Sequence, residues 1–390
     1  MAEMHRFLLE MFQTSSRIDL VFDVYLDDSL KAATRAKRGR GLRRHVTAET
    51  KCPPNWPNFL RDSRNKEELF HYLATSLTTQ EYPEGKTLFI TDKEKVLCNL
   101  QQRMDDCDHE EADTRIAVHL KDALVRGYKC IQIACSDTDI LIILLGIYHR
   151  LKSEHSFRDI IFERFVAPNF QKVSLAALTQ RLGQVKCQGL PFLHSFTGCD
   201  TPSAFKGIGK KKGYDILCNY SAALPTFCSF YNTPFQNLTA EMEEFKTLQR
   251  FVILMYSKAS DHLRVNEARL DFFFKKTQNL ESIPPTENAL LEHCKRAIYQ
   301  CGIWSRCLET QQNLPNKSDF GWQRINIDPD IPWGPVWFTN GEAHKSVREL
   351  EIKCKCQGVA GCIRCKCYNS DMRCTMLCNC NCTNRIVYDD

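Results

Sequence analysis

The sequence has no apolar run long enough to cross a membrane as a helix. Its 390 residues are 43% hydrophobic and 25% charged, but no stretch reaches the roughly 18 apolar residues that a membrane-spanning helix requires. The first residues, MAEMHRFLLEMF, contain acidic side chains and too short an apolar core for a secretory signal peptide. We therefore expect a soluble globular protein of two or three domains.

The chain also has little net charge, +5, so the local distribution of charged residues says more about possible partners than their sum. Residues 29–51 carry eight lysines and arginines against one glutamate, which leaves a local excess of seven positive charges. Such a segment suits a polyanionic partner such as nucleic acid. A solvated or disordered loop explains the same composition equally well.

The cysteine-rich end of the chain lacks histidine. Of the 21 cysteines, nine fall within 354–382, and the others are scattered singly, which is typical of small buried side chains in a reducing compartment. The clustered cysteines predict metal ligation rather than disulfides; they are Cys354, Cys356, Cys362, Cys365, Cys367, Cys374, Cys378, Cys380 and Cys382. Three zinc ions need about twelve tetrahedral ligand positions, which nine thiolates supply if three of them bridge two ions. A two-zinc site with a spare cysteine and an oxidised or disordered tail are the alternatives.

Acidic residues form two closely spaced pairs in the first half of the chain. Glu111 and Asp113 precede a helix-like run, and Asp137 and Asp139 directly follow the predicted strand Cys130–Ala134. Ligands bind at the carboxyl ends of strands in open α/β sheets, and neighbouring carboxylates repel one another unless a cation lies among them. The pairs therefore predict a divalent cation site, because hard cations prefer oxygen ligands. Helix capping is the alternative explanation of Asp137 and Asp139.

Two more aspartates and a glycine–lysine segment accompany these pairs. Asp23 lies at the end of the predicted strand Ile18–Val24, and Asp200 follows Gly198 and a cysteine. The segment GIGKKKG, residues 207–213, has the glycine spacing of a helix–hairpin–helix, whose backbone N–H groups face a phosphate. A glycine turn that begins a helix explains this segment equally well.

In this order, these residues resemble the flap endonuclease and XPG nucleases, which have the PIN-like fold. The similarity covers about residues 20–220. It implies an α/β fold class, with a PIN-like (flap-endonuclease-like) sheet and flanking helices in residues 1–225 and a helix–hairpin–helix near 204–217. It also implies hydrolysis of a DNA phosphodiester by two Mg²⁺ or Mn²⁺ ions about 4 Å apart.

The resemblance further implies a set of site residues. Asp23, Glu111 and Asp113 would hold one ion, and Asp137, Asp139 and Asp200 the other. Contacts to DNA phosphates would come from Lys31, Arg38, Gly207, Gly209, Lys210 and Lys211. Family members begin with a strand that carries one more metal-binding aspartate, upstream of a helix such as residues 5–15. This chain starts at that helix, which implies either an upstream segment or a lost central strand and ligand.

Residues 226–340 predict a helical segment followed by a linker. Thr286, after two prolines, is the predicted N-cap of one helix. Three tryptophans among glycines and prolines indicate an irregular cover or a linker; they are Trp322, Trp333 and Trp337. The isolated histidines, His194 and His293, are predicted to be packing or surface residues.

The cysteine-rich tail, residues 350–386, resembles the CXC domain of tesmin/TSO1-type proteins and of the male-specific-lethal dosage-compensation proteins. Arg364 and Tyr368 match the positions of that family that approach DNA. The resemblance implies a zinc domain whose basic side chains enter the minor groove, where arginine reads groove width and A·T character.

Together the two resemblances predict a nuclear DNA-binding protein of transposon origin, with duplex or branched DNA as its partner and no membrane association. One version is an active structure-specific endonuclease. The other is a catalytically inactive protein that binds chromatin, DNA or another protein.

Overall fold

The computed structural model describes residues 1–37, 39, 41–166, 169–275, 282–325, 331–336, 354–356, 365–369, 374, 378 and 380. The chain divides into two compact units, Met1–Val336 and Trp337–Asp390. None of the described helices is both long and apolar enough to cross a membrane.

The first unit has mixed α/β structure with small sheets and many helices. Its first half contains α1 (Ala2–Met11), β1 (Arg17–Leu20), α2 (Ala32–Lys37), α3 (Trp56–Phe59), α4 (Ser63–Leu77), β2 (Thr87–Asp92), β3 (Lys95–Cys98), α5 (Ala112–Val125), β4 (Cys130–Ala134), α6 (Thr138–Glu154), β5 (Asp159–Val166) and β6 (Asn169–Ser174). The second half contains α7 (Leu175–Leu182), α8 (Gln184–Phe196), α9 (Lys210–Asn219), α10 (Ala223–Asn232), α11 (Glu243–Tyr256), α12 (Val265–Lys275), α13 (Glu287–Ser305), a 3₁₀ turn (Lys317–Phe320), β7 (Trp322–Arg324) and β8 (Trp333–Pro335).

The strands of this unit form two separate three-stranded sheets and one hairpin. β1 pairs in parallel with β2, which pairs antiparallel with β3. β4 pairs in parallel with β5, which pairs antiparallel with β6. Within the described residues, β1 and β4 are both edge strands and no strand joins them. The α/β fold class is thus confirmed, with two small sheets in place of the one sheet expected.

The two faces of β1 have different partners because side chains alternate along a strand. Ile18 is buried in a small apolar cluster with residues of α1, α4 and β2. Arg17 and Asp19 bond to α5 instead: Arg17 Nη1 donates to Asp122 over 2.6 Å, and His119 Nδ1 lies 2.7 Å from Asp19 Oδ1. This buried polar network fixes the position of α5, whose first turn carries the acidic residues of the site.

A larger apolar core surrounds α8 and extends from Ala117 to Trp333. α8 packs against α6, α10 and α13, and its Phe192 and Phe196 are completely buried. This core contains residues from both sides of position 225, the expected end of the first domain.

Trp322 and Trp333 belong to this core, so of the two alternatives, an irregular cover and a linker, a cover describes them. Both are buried in the β7–β8 hairpin, and Trp333 Nε1 donates to Asp28 Oδ1 over 2.7 Å. The indole rings supply apolar area that glycine and proline on their own do not, which is why the segment folds onto the helices. Trp337 lies outside the described residues.

Candidate metal centres

The first candidate centre lies at the start of α6, directly after β4. Asp137 is the N-cap of α6, and its Oδ1 accepts a hydrogen bond of 2.9 Å from Asp139 N. The capping role considered from the sequence is therefore present. It occupies one oxygen of Asp137, an exposed residue, and leaves the second oxygen for a ligand.

Asp139 is held by a histidine from α8. His194 Nε2 lies 2.7 Å from Asp139 Oδ1, and the His194 side chain is only 6% exposed. Burial acts to raise the pKa of Asp139, but the hydrogen bond and charge of His194 outweigh burial and lower it. Asp139 is thus kept ionised and oriented, as a metal-binding carboxylate must be.

A third carboxylate comes from Asp113 in the first turn of α5. One oxygen each of Asp113, Asp137 and Asp139 lies within 4.8 Å of the others. Burial and, next, the charge of Glu111 raise the pKa of Asp113 to about 8. Three carboxylate oxygens at this spacing are a donor set that fits Mg²⁺ or Mn²⁺, which prefer oxygen ligands.

Glu111 and Asp200 lie beside this group and share the ammonium of Lys31. Lys31 Nζ is 2.8 Å from Glu111 Oε2 and 3.0 Å from Asp200 Oδ2. Burial raises the pKa of Glu111 to about 7, although Lys31 acts to lower it. Burial would lower the pKa of Lys31, but the two carboxylates raise it, so the ammonium stays charged.

Asp23 adds a sixth carboxylate at the N-terminus of α5. Its Oδ1 accepts a hydrogen bond of 2.8 Å from Ala112 N. The formal N-cap of α5, Glu111, makes no capping bond through its own side chain. Asp23 therefore satisfies a backbone donor of the helix on which Glu111 and Asp113 lie.

The structure brings together carboxylates that are far apart in the sequence, but it groups them differently from the expectation. Asp113 lies close to Asp137 and Asp139, whereas Glu111 and Asp200 both form ion pairs with Lys31. The charges of Glu111, Asp137 and Asp139 all act on Asp113, so the two groups are neighbours.

The predicted hairpin consists of a turn at residues 206–207, closed by a bond from Ile208 N to Phe205 O, and of α9, which begins at Lys210. The preceding helix, α8, ends at Phe196, so residues 204–217 contain only the second of the two expected helices. Gly209 caps α9 without a side-chain bond. Lys210 and Lys211 are both exposed, but Lys210 Nζ donates to His194 O over 3.0 Å and to Gly198 O over 2.6 Å.

Several charges of the basic segment 29–51 are neutralised inside the fold. Lys31, Arg35 and Arg43 make ion pairs with acidic residues of other segments. The predicted phosphate contact Arg38 lies outside the described residues. In this structure the ammonium of Lys31 is bonded to carboxylates, and so it is not free for a phosphate.

Sequence reasoning missed the roles of His194 and Lys210 at this centre. His194 was expected only to pack or to face solvent, and its ring does lie 5.8 Å from that of Trp304. Its bond to Asp139 joins residues 55 positions apart, and no local pattern in the sequence indicates such a pair.

The second candidate centre is the cysteine cluster of the second unit. Sγ atoms lie within 4.8 Å of one another in two sets, Cys354–Cys365–Cys367–Cys374 and Cys354–Cys374–Cys378–Cys380. The two sets share Cys354 and Cys374, as thiolates that bridge two metal ions would. Cys356 packs against the cluster, and the short helix α14 (Lys366–Asn369) carries Cys367.

The sulfur spacing of this cluster suits zinc. Cys354 and Cys374, which belong to both sets, have their sulfur atoms 3.9 Å apart, close to the ~3.8 Å expected between thiolates on one tetrahedral zinc with ~2.3 Å bonds. Cys354 and Cys380, in the second set, are closer, at 3.2 Å. None of the described cysteines forms a disulfide. Cys362 and Cys382, also predicted ligands, and Arg364 lie outside the described residues.

Comparisons of this chain with models of protein families, with curated proteins and with solved structures found no match.

Proposed function

We propose that the first unit is a divalent-cation-dependent endonuclease of the flap endonuclease and XPG type, with a PIN-like ancestry, that acts on duplex or branched DNA in the nucleus. The observation that carries the proposal is the convergence of Asp113, Asp137 and Asp139 within 4.8 Å. Glu111 and Asp200 lie beside them. These residues come from three separate parts of the chain. If each had only a local structural role, such as capping a helix, nothing would require their carboxylates to lie close together.

The residues around this centre suit a phosphodiester substrate. Mg²⁺ or Mn²⁺ held by the three aspartates would neutralise phosphate charge and lower the pKa of a bound water. The first turn of α9 has backbone N–H groups without helical partners, and its positive end attracts a phosphate. Lys211, exposed at the same turn, adds positive charge there. Backbone contacts of this kind position DNA without reading its sequence.

The test is cleavage of a 5′-flap DNA duplex by the full-length chain with Mg²⁺ or Mn²⁺. Asp137→Asn and Asp139→Asn keep the size of the side chain but remove its charge, and we expect both to reduce cleavage at least ~100-fold. Asp261→Asn, at an exposed aspartate away from the site, should cleave like the wild type. Cleavage without a divalent cation, or cleavage that the two site variants leave intact, would overturn the proposal.

A second candidate function, DNA binding without cleavage, is favoured by the engagement of Lys31 with Glu111 and Asp200. A protein of this kind would bind chromatin, DNA or another protein through the same surface. The same assay separates the two candidates, because an inactive protein would bind the flap substrate and leave it intact at every cation concentration.

For the second unit, we propose a CXC zinc module that binds DNA. The two overlapping sets of cysteines support at least two zinc ions, and three if all nine cysteines take part. Tyr368, which is 53% exposed, is available to a partner.

In the zinc-loaded full-length chain, Arg364→Ala and Tyr368→Ala should weaken binding to an A·T-rich duplex. The neighbouring Asn369→Ala, also at an exposed residue of α14, is the matched control. The wild-type affinity should fall steeply with salt, because phosphate contacts release counterions. Unchanged affinity in both variants would count against the DNA-binding role.

A further inference from the structure

The ammonium of Lys31 lies between two carboxylates that the family resemblance assigns to two different metal ions, Glu111 to one and Asp200 to the other. Its Nζ is 2.8 Å from Glu111 Oε2 and 3.0 Å from Asp200 Oδ2. Only a fifth of the lysine side chain is exposed. A positive charge that belongs to the protein therefore already joins these two acidic residues.

The position of Lys31 is fixed by bonds that do not involve its ammonium. Its backbone N donates to Ser29 Oγ over 3.0 Å, and Ser29 Oγ in turn donates to Glu110. Thr34 Oγ1, one turn into α2, donates to the carbonyl of Asp200 over 2.8 Å. These bonds hold the start of α2 against both acidic segments, so the ammonium is directed to its place by the fold.

Asp113, Asp137 and Asp139 have a different environment. In the part of the chain that the structure describes, no lysine or arginine forms an ion pair with any of the three. Lys210 is near enough for its charge to act on Asp137 and Asp139, but its ammonium donates to two backbone carbonyls instead. His194 offsets part of the negative charge at Asp139, and a cation bound by the three carboxylates would supply the rest.

An ammonium and a divalent cation cannot occupy the same position between Glu111 and Asp200. Mg²⁺ requires its oxygen ligands at about 2.0–2.1 Å in near-octahedral geometry, whereas the ammonium holds the two oxygens at 2.8 and 3.0 Å. A lysine acts as a point charge with three donors, and it can neutralise two carboxylates at once.

We propose that this centre binds a single divalent cation, at Asp113, Asp137 and Asp139, and that Lys31 supplies at Glu111 and Asp200 the positive charge of a second cation. The inference rests on the proposed function and specifies its cation requirement. A pair of ions stabilises both the attacking and the leaving oxygen of a phosphodiester. Here one divalent ion and the ammonium of Lys31 together supply the positive charge that two ions supply in such a pair. The protein therefore requires one exogenous cation per chain.

The experiment is a count of bound Mn²⁺ on the full-length chain whose tail has first been saturated with zinc. Electron paramagnetic resonance of free Mn²⁺ during a titration gives the number of ions bound per chain. We expect one for the wild type, none for Asp139→Asn, one for Lys31→Arg and two for Lys31→Met, which keeps most of the apolar stem but removes the charge. Lys258→Met, at an exposed lysine outside the site, is the matched control and should bind one.

The outcomes separate this inference from the proposed function. Two ions on the wild type, or one ion on a folded Lys31→Met protein, would overturn the inference and leave the proposed nuclease site intact. No ion on the wild type would overturn both. The wild-type count decides the question even if Lys31→Met does not fold.

Discussion

At the scale of single residues, His194 connects the helical core to the first candidate metal centre. It lies on α8, the most enclosed helix of the unit, and its Nε2 is 2.7 Å from Asp139 Oδ1. Residues that orient a metal ligand in this way affect the affinity for the metal although they do not touch it.

We predict that His194→Ala weakens Mn²⁺ binding about 10–100-fold, since groups that orient metal ligands have effects of that size. His194→Gln, whose amide can still donate to Asp139, should recover part of the loss. His293 offers a control, because it is equally buried and bonds instead to Phe196 O over 2.8 Å. His293→Gln should lower stability and leave the Mn²⁺ affinity unchanged. Titration calorimetry and thermal unfolding of the four proteins measure both effects, and equal Mn²⁺ affinity in all four would show that His194 only packs.

The raised pKa values of Glu111, about 7, and Asp113, about 8, predict an unusual dependence of stability on pH. Both lie above the values for an unfolded chain, about 4.3 and 3.9. Through these two groups the folded protein binds more protons than the unfolded chain between about pH 4 and pH 8, whereas the lowered pKa of the buried His293, about 4, acts in the opposite direction. The contribution of these two groups to the free energy of unfolding should fall as pH rises through that range, by several kcal/mol, since one pKa unit corresponds to about 1.4 kcal/mol.

Denaturant unfolding of the first unit at pH 5 and pH 8, without added Mg²⁺ or Mn²⁺, measures this fall. Asp113→Asn should reduce it, because the amide has no proton to lose, and Mn²⁺ should stabilise the wild type at pH 8 but not the variant. An identical pH dependence in the two proteins would refute the assignment to Asp113.

At the scale of elements, a glycine just after α8 and another inside α9 permit close contact where a side chain would not fit. Gly198 has a φ of +103°, and a Cβ there would lie 2.6 Å from Ala204 Cβ. Gly213 lies inside α9, and a Cβ there would meet Thr197 Cγ2 at 2.7 Å and Leu193 Cδ1 at 3.3 Å. Gly213 thus allows α9 to pack against the end of α8, next to His194.

We predict that Gly213→Ala destabilises the protein by about 1–3 kcal/mol, the usual result of overpacking. In an open helix the same change would stabilise by about 1 kcal/mol, so the sign of the effect tests the packing. Gly209→Ala is the control for stability, because nothing lies within 4 Å of the added methyl group. Chemical denaturation measures both variants, and a stabilising effect of Gly213→Ala would show that α9 is not packed on α8.

Sequence patterns predicted elements that have a strong local period and missed contacts between distant segments. The strand Cys130–Ala134 and the N-cap Thr286, which accepts from Ala289 N, are confirmed. The strand at Ile18–Val24 ends at Leu20, because Phe22 N bonds to Thr91 Oγ1 and not to a strand backbone. The family resemblance predicted that the acidic residues lie close together in space. No sequence pattern predicted that Lys31 would bind Glu111 and Asp200 and leave the other three carboxylates as a separate group, because tertiary contacts alone decide which side chain reaches which carboxylate.

At the scale of the whole molecule, the two units depend on different forces. The first has a large apolar core, whereas among the few described residues of the second the buried side chains are cysteines. In zinc domains of this size metal ligation supplies the folding free energy, and we expect the same of this unit.

We therefore predict that a strong zinc chelator unfolds the second unit and leaves the thermal transition of the first unit in place. Circular dichroism with a thiol-reactive dye, which counts the cysteines released, follows the two events separately. Loss of both units at the same chelator concentration would contradict the separate origin of their stability.

The apolar core that continues from Ala117 to Trp333 also determines how the protein can be divided in the laboratory. A recombinant fragment cut at residue 225 would expose the phenylalanine-rich face of α8 by removing α11 and α13, and we expect it to aggregate. A cut after Val336 coincides with the division between the units. Failure of a short fragment to cleave DNA would therefore reflect its misfolding, and only proteins that retain the complete helical layer are suitable for the activity assays.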